Sequence, residues 1–247
     1  MRVLVLGGTG EGHALARALV EAGKFHVVSS LAGRTKRPRL PPGELRSGGF
    51  GGAEGLARYL STSRIDALVD ATHPFAATMG RHAAEAARAQ GVPLLRLDRP
   101  PWRAVAGDNW REVEDWEEAV AVLRTSARRV FLAIGRQELA AFAPLAQVWF
   151  FIRAVERPDP MPPFAQAEVL LARGPFALED ERRLLVSHRI DTVVCKNSGG
   201  SAAEAKLTAA RELGLGVVMR RRPVRPSLPT VSSTEEALAW LAALGSA

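Results

Sequence analysis

A glycine-rich turn near the start of the chain is the first segment whose residue types could do chemistry. Residues 7–12 follow the apolar run Arg2–Leu6 and precede an Ala- and Leu-rich segment. A strand, a glycine turn and a helix in this order bring backbone N–H groups to a helix N-terminus, where they can bind a pyrophosphate. The spacing departs from G-x-G-x-x-G, because His13 stands where the third glycine would fall. We predict a dinucleotide-binding turn, with a merely tight strand–helix turn as the alternative. The residues predicted to bind the cofactor here are Gly7, Gly8, Thr9, Gly10, Glu11 and Gly12.

Cations follow the second predicted strand, which spans residues 26–31. An NAD site needs an acidic residue at the end of this strand to bind the ribose hydroxyls, whereas Arg34 and Lys36 stand here. A cation is the expected partner of the 2′-phosphate of NADP. The sequence therefore favours NADPH over NADH, and we assign Arg34 and Lys36 to cofactor binding. A solvated basic loop is the alternative for residues 34–39.

Thr72 and His73 form the third group of interest. They follow the strand predicted near residues 66–70, which adjoins the first strand in the usual order of such sheets. Since ligands bind outside the carboxyl ends of parallel strands, we expect this loop near the reactive end of a bound nicotinamide. The glycine loop at residues 48–52 belongs to the same region and permits close backbone approach to a ligand.

A cation ends or follows each of five predicted strands in the second half of the chain. Because the carboxyl ends of parallel strands meet at one edge, these cations would attract a ligand with several carboxylates, which Arg can bind bidentately. Each cation taken alone is more simply a surface charge. Residues 196–201 resemble a nest for a phosphate or carboxylate, or a second pyrophosphate cradle. The strand-end cations are Arg136, Arg153, Arg173, Lys196 and Arg220.

Alternating strands and helices must position these groups. In the first half, strands are predicted near residues 2–6, 26–31, 66–70 and 93–97, and helices near 11–22, 53–62 and 78–90. Three stretches then recur: residues 3–6 at 130–133, 64–69 at 189–194, and 113–119 at 231–237. The predicted fold is α/β, with two tandem Rossmann-like domains, mostly parallel sheets and the active site in the cleft between them. We place an NADPH-binding domain at residues 1–105 and a substrate-binding domain at residues 106–247. The short segments near residues 110–114 and 229–232 could pair with either sheet.

Composition limits the cellular location and the kinds of partner that we expect for this protein. No apolar run approaches the roughly 20 residues that cross a bilayer, the chain starts directly in a predicted strand, and Cys195 is the single cysteine. We therefore expect a soluble, cytoplasmic protein without signal peptide, disulfide or membrane partner. The five histidines lack ligand spacing, so no metal is expected. The net charge of +7 suits an anionic ligand, whereas dispersed basic residues argue against nucleic acid. A monomer is favoured.

Six segments together resemble the precorrin-6A reductase family of corrin-ring biosynthesis. Residues 70–75, Asp-Ala-Thr-His-Pro-Phe, and residues 196–200, Lys-Asn-Ser-Gly-Gly, carry the most specific likeness. The resemblance spans most of the chain, in the family's order. The other segments are residues 6–9, 30–35, 48–52 and 173–176.

The resemblance implies an NADPH-dependent reduction of one carbon–carbon double bond in the macrocycle of precorrin-6A, giving precorrin-6B. The substrate would be a tetrapyrrole edged with acetate and propionate groups, and Ser30 would join the cofactor-binding residues. For the catalytic proton donor we name His73 first, Lys196 second and water third. Two alternatives stay open: a reductase of the cobalt-containing form, and a non-catalytic NADPH-binding sensor. The expected substrate contacts are Arg136, Arg153, Arg173, Lys196, Asn197 and Ser198.

Overall fold

Two compact units make up the structure. The computed structural model describes residues 1–33 and 38–245. Unit 1 combines Met1–Pro100 with Pro223–Ala247, and unit 2 consists of Pro101–Arg222. Each contains one six-stranded parallel sheet covered by helices, so the predicted α/β class with two Rossmann-like domains is confirmed. Among the described residues, every helix is too short or too polar to cross a membrane.

Strands and helices alternate through most of the first hundred residues, as predicted, except that the strands at residues 26–31 and 44–47 follow each other without a helix. Buried on both faces, β1 reads as an unbroken apolar run because helices cover both sides of its sheet. Val3 and Val5 belong to the core cluster formed with α1, whereas Leu4 and Leu6 belong to the cluster formed with α2 and α3. The elements are β1 (Arg2–Leu6), α1 (Gly10–Glu21), β2 (His26–Leu31), β3 (Glu44–Ser47), α2 (Gly52–Thr62), β4 (Ala67–Asp70), α3 (Ala77–Gln90) and β5 (Leu94–Leu97).

Unit 2 repeats this alternation. Phe131 packs on the face covered by α5 and α6, and its neighbours Val130 and Leu132 pack on the face covered by α4. Two 3-10 turns, Arg136–Phe142 and Ser201–Ala203, follow the strands β7 and β10. The regular elements are β6 (Asn109–Val113), α4 (Trp116–Ser126), β7 (Arg129–Ala133), β8 (Trp149–Ala154), β9 (Ala167–Leu171), α5 (Leu178–Ser187), β10 (Thr192–Lys196), α6 (Ala205–Glu212) and β11 (Gly216–Arg220).

The last strand and helix, β12 (Thr230–Val231) and α7 (Thr234–Leu244), differ from the prediction. Strand β12 pairs with β5, and α7 contacts α1, so residues 223–247 fold with unit 1, although the sequence placed them in the second domain. Conversely, β6 pairs with β11 in unit 2. A short strand followed by a capped helix can complete the edge of either sheet, so the pattern alone does not assign it. The sheet orders are β12-β5-β4-β1-β2-β3 and β6-β11-β10-β7-β8-β9.

The two units share local details at the repeated positions. Arg64 and Arg189 are the two non-glycine residues with positive φ among those described, at 49° and 50°. Two positions later in each case, Asp66 and Asp191 accept the backbone N–H of the first residue of β1 and of β7, at 2.6 and 2.8 Å. The same strained turn and the same side-chain contact therefore lead into the equivalent strands β4 and β10, which supports duplication.

Candidate functional site

Thr9 fixes the turn between β1 and α1. Its hydroxyl caps α1 by accepting the Gly12 N–H at 3.0 Å and donates to the Ala71 carbonyl at 2.8 Å. A Cβ on Gly12 would lie only 3.2 Å from the Ala71 Cβ. Helix α1 therefore begins in close contact with the residue that follows β4, and this approach needs a glycine at position 12.

Gly8 forms the open side of the same turn. Its φ of 106° lies in the left-handed region, and no atom lies within 4 Å of the place that a Cβ would take. Gly10 also faces open space. The first N–H groups of α1 have no acceptor within the helix. The turn thus offers backbone donors at a helix N-terminus with no side chain in front of them, which fits a pyrophosphate.

Glu11 and His13 bear on the charge of this turn. A carboxylate in the first turn of α1 would repel a phosphate, but Glu11 binds Nη1 of Arg99 at 2.6 Å. Burial lowers the pKa of His13, and Arg39 and Arg17 lower it further, so the ring is neutral near pH 7. With Glu11 neutralised, the N-terminal end of α1 keeps its preference for an anion.

Ser30 lies at the end of β2, directly beside the turn. The Ser30 carbonyl accepts the Gly7 N–H at 2.9 Å, which extends the pairing of β1 and β2 into the turn. The side chain of Ser30 is buried. Arg34 and Lys36, which we assigned to the 2′-phosphate, lie outside the described residues, so their assignment stays a prediction.

Arg46 is a cation at this edge that sequence reasoning missed. It lies in β3, and its guanidinium donates to the Gly48 and Gly49 carbonyls at 2.7 Å each. The same group stacks on the Phe50 ring at 3.6 Å and lies 3.4 Å from the Ser30 hydroxyl. Arg46 thereby orders the glycine loop at residues 48–52 next to the end of β2.

Asp70 holds the loop after β4 from inside the protein. Its carboxylate, which is fully buried, accepts the Thr72 hydroxyl at 2.6 Å and the Thr72 N–H at 3.2 Å. Nδ1 of His73 accepts the Phe75 N–H at 3.2 Å. Since an acceptor nitrogen carries no proton, this bond assigns the ring proton to Nε2. The structure therefore brings Thr72 and His73 to the carboxyl end of β4, beside β1, and commits the Thr72 hydroxyl to Asp70.

Two buried arginines compensate the charge of Asp70. Nη2 of Arg225, in the segment that leads to β12, donates to its carboxylate, and Nε of Arg96 in β5 lies 3.7 Å away. Gly80 makes room for Arg225, because a Cβ there would lie 2.9 Å from Nε. Burial lowers the pKa of Arg96 and the charge of Arg225 lowers it further, whereas Asp70 and Asp98 raise it. The loop that carries His73 therefore rests on a buried charge network.

The strands β11, β10, β7, β8 and β9, which the five predicted cations end or follow, are parallel neighbours in the sheet of unit 2, so their carboxyl ends share one edge. Carboxylates of the chain also reach this edge. Glu138 binds both Lys196 and Arg220, the latter at 3.0 Å, and Arg136 binds Glu156 at 3.1 Å. Part of the positive charge that the sequence assigned to a ligand is thus balanced within the protein. Arg173 follows β9 and is exposed.

Arg153 and Asn197 differ from the expectation that they face a ligand. Arg153 is 8% exposed, forms a bidentate pair with Glu181 of α5, and stacks on Phe176 at 3.6 Å. The Asn197 side chain is also buried and is bonded to the backbone of Trp102. Both side chains are directed into unit 2, since the alternation within β8 and the turn after β10 point them toward packed helices and loops.

No group of three or more His, Cys, Asp or Glu side chains that could hold a metal ion occurs among residues 1–33 and 38–245. Cys195 is buried, and burial raises the pKa of its thiol.

Comparison with known proteins identifies the family of the chain. A family model described as precorrin-6x reductase CbiJ/CobK matches residues 2–242. The chain belongs to the precorrin-6x reductase family. The resemblance stated from the sequence is thereby confirmed, and family membership makes the chain an oxidoreductase of cobalamin biosynthesis.

Relatives in this family match over nearly their whole length. The precorrin-6A reductase of Rhodococcus erythropolis is 51% identical over 245 residues, which cover 98% of each chain. The cobalt-precorrin-6A reductase of Priestia megaterium is 30% identical over 245 residues, or 95% of each chain. A solved structure described as CobK precorrin-6A reductase is 45% identical with a TM-score of 0.94, covering 99% of this chain and 97% of that one.

Proposed function

We propose that this chain reduces one carbon–carbon double bond in the macrocycle of precorrin-6A, giving precorrin-6B, with NADPH as the hydride donor. The observation that carries the proposal is the match of residues 2–242 to the precorrin-6x reductase family. The metal-free substrate is favoured over its cobalt form because the 51% identical relative is named for precorrin-6A, and the relative named for the cobalt form is 30% identical. We further propose that the enzyme is a cytoplasmic monomer.

Unit 1 would bind NADPH. The N–H groups at the start of α1, with Gly8 and Gly10 leaving space in front of them, would hold the pyrophosphate. Arg34 and Lys36 would bind the 2′-phosphate beside Ser30. The loop of Thr72 and His73 would flank the nicotinamide, which when bound supplies a hydride to an electrophilic ring carbon. Arg46 and Asp70 keep the glycine loop at residues 48–52 and the loop after β4 in place for this ligand.

Unit 2 would bind the carboxylates of the tetrapyrrole. Lys196 and Arg220 end β10 and β11, and Arg136 and Arg173 follow β7 and β9, so all four cations are at the carboxyl edge of one parallel sheet. Glu138 and Glu156 hold three of these cations by ion pairs, which limits the entropy lost when a carboxylate binds. We no longer propose that Arg153 contacts the substrate, and we treat it as a buried residue that supports β8. Asn197 acts through the loop that it orders, while Ser198 remains a proposed contact.

Hydride addition at one carbon requires a proton at its neighbour. His73 is our first choice of donor because its ring is oriented by the Phe75 N–H and holds its proton on Nε2. Nε2 would pass its proton to the substrate carbon while a water molecule returns one to the ring, so His73 ends the step in the tautomer in which it began. Lys196 is the second choice, and its ammonium group is held by Glu138. Water is the third.

The proposal predicts that the protein oxidises NADPH when mixed with precorrin-6A under anaerobic conditions. Nicotinamide absorbance should fall in equal proportion to precorrin-6B formed, with a higher kcat/KM for NADPH than for NADH. Replacing both Arg34 and Lys36 by Ala should reduce that preference at least about tenfold, since each charge-assisted hydrogen bond contributes about 1.5–3 kcal/mol. Binding of NADPH without its oxidation would refute the reductase and support a sensor, and equal use of NADH by the wild type would refute the assignment of NADPH.

A second prediction concerns His73. His73→Ala should slow hydride transfer by about 100-fold, the lower range for a positioned proton donor, and change the KM for NADPH much less. His73→Gln retains an N–H donor and should recover part of the rate if hydrogen bonding matters more than proton release. Single-turnover absorbance measurements test both variants. A wild-type single-turnover rate in His73→Ala would remove His73 from catalysis and leave Lys196 or water.

A further inference from the structure

The loop that follows β10 is held by two residues outside every motif described above. Trp102 stands at the start of unit 2 and Arg222 at its end. Both donate hydrogen bonds to residues 197–200, the segment that joins Lys196 to the 3-10 turn at Ser201. The chain thus enters and leaves unit 2 in contact with one loop of the substrate edge.

Trp102 binds this loop at three points. Its backbone N–H donates to Oδ1 of Asn197 at 2.8 Å, and its carbonyl accepts from Nδ2 of Asn197 at 2.9 Å. Its indole N–H donates to the Gly200 carbonyl at 3.0 Å. Trp102 and Asn197 are 8% and 6% exposed, so these bonds are formed away from water and are costly to break. The ammonium group of Lys206 lies 4.4 Å from the centre of the indole ring and further fixes it.

Arg222 binds the same loop through two adjacent carbonyls. Its Nε donates to the Asn197 carbonyl at 2.9 Å, and its Nη2 donates to the Ser198 carbonyl at 3.1 Å. This use of two donors on one planar group is specific to arginine, because a lysine ammonium is a point charge without a fixed fork. Together, Trp102 and Arg222 engage the carbonyls of residues 197, 198 and 200.

The engaged carbonyls set the direction of the neighbouring amides. In a trans peptide the C=O and the following N–H point in opposite directions. The N–H groups of Gly199 and Ser201 therefore point away from the donors that hold the Ser198 and Gly200 carbonyls. Within the described residues, neither N–H donates to a backbone carbonyl. Gly199 and Gly200 have φ of 68° and 73°, a conformation that other residues seldom adopt and that gives the loop its tight curvature.

We propose that Trp102 and Arg222 are positioning residues for the substrate, which hold the loop so that its Gly199 and Ser201 amides bind one substrate carboxylate next to the Lys196 ammonium group. This inference rests on the proposed function, since it assumes that the carboxyl edge of unit 2 binds the acidic tetrapyrrole. It gives Asn197 a role as well: its side chain connects Trp102 to the loop and does not contact the ligand.

The test compares Trp102→Phe and Arg222→Lys with two matched controls. Trp102→Phe removes the N–H donor and keeps an aromatic ring, and Arg222→Lys keeps the charge and loses the fork. Trp110→Phe is the first control because the buried Trp110 Nε1 makes no hydrogen bond to any described residue. Arg221→Lys is the second, since Arg221 binds the exposed side chains of Glu112 and Glu114.

Steady-state kinetics with precorrin-6A and NADPH give the outcome. We expect each test variant to raise the KM for precorrin-6A about tenfold, or about 1.4 kcal/mol, with kcat and the KM for NADPH within about twofold of wild type. Both controls should retain the wild-type KM. A merely structural role would instead lower kcat or raise both KM values together, and would overturn the inference. If Trp102→Phe does not fold, Arg222→Lys decides alone.

Lys196→Met separates this inference from the proposed function. If Lys196→Met raises the KM for precorrin-6A and neither test variant does, the carboxylate site stands and the positioning roles are refuted. If Lys196→Met leaves that KM unchanged, the carboxylate site itself is refuted, and the positioning inference with it. An increase in all three variants, with unchanged controls, supports both.

Discussion

Asp70→Ala should lower the free energy of unfolding by about 3–5 kcal/mol, the usual cost of removing one partner from a buried ion pair. The substitution leaves the guanidinium groups of Arg96 and Arg225, 8% and 6% exposed, without their shared carboxylate. Two nitrogens of each guanidinium are already buried without a hydrogen-bond partner among the described residues, so losing the carboxylate adds to the cost of burying these two charges. Denaturation by guanidinium chloride, followed by circular dichroism, measures the change.

An exposed ion pair provides the matched control. Glu112→Ala removes one of the two carboxylates that bind Arg221 at the surface and should destabilise the protein much less than Asp70→Ala. Asp70→Asn keeps an oxygen for the Thr72 hydroxyl and removes only the charge, so its cost should lie below that of Asp70→Ala. A loss in Asp70→Ala as small as that in Glu112→Ala would show that the two arginines find other compensation, and the support we assign to the His73 loop would then be absent.

The hydrophobicity of the residues and its periodicity along the chain were sufficient to predict most of the fold. The strands β1, β2, β4 and β5 are four to six residues long, rich in Val and Leu and almost entirely buried. Helices cover both sides of their sheet, and the resulting hydrophobic signal made each strand predictable. Strand β3 was missed because it is an edge strand of largely exposed residues, Glu44–Ser47, and lacks that signal. The sheet to which β12 belongs could not be predicted, since a two-residue strand carries no information about its neighbour.

The site divides along similar lines. The glycine turn and the loop at residues 70–75 are local motifs, so the sequence identified them together with Thr9, Gly12 and His73. The residues that support them come from distant parts of the chain: Arg225 meets Asp70 across 155 positions, and Trp102 meets Asn197 across 95. Such pairs arise only from the tertiary fold. For the same reason the sequence found the cations of unit 2 without the carboxylates, Glu138 and Glu156, that bind them.

Gly8→Ala should raise the KM for NADPH by about 10- to 100-fold, corresponding to the loss of about 1.4–2.7 kcal/mol of binding. Two effects combine. The φ of 106° is strained for any residue with a Cβ, so the amides of the turn shift, and the added methyl group enters the open space that the pyrophosphate needs. Titration of NADPH by fluorescence, and steady-state kinetics at saturating precorrin-6A, measure the change.

Gly23→Ala separates backbone strain from loss of the binding site. Gly23 follows the other end of α1, also has a positive φ, of 71°, and also faces open space. Both variants should lose stability, by about 1–3 kcal/mol for a strained residue, but only Gly8→Ala should weaken the binding of NADPH. If the two variants bind NADPH equally well, the N-terminus of α1 does not hold the pyrophosphate. The second glycine turn, after β10, would then be the candidate site for the pyrophosphate. In that case Lys196→Met would weaken the binding of NADPH instead of the binding of precorrin-6A.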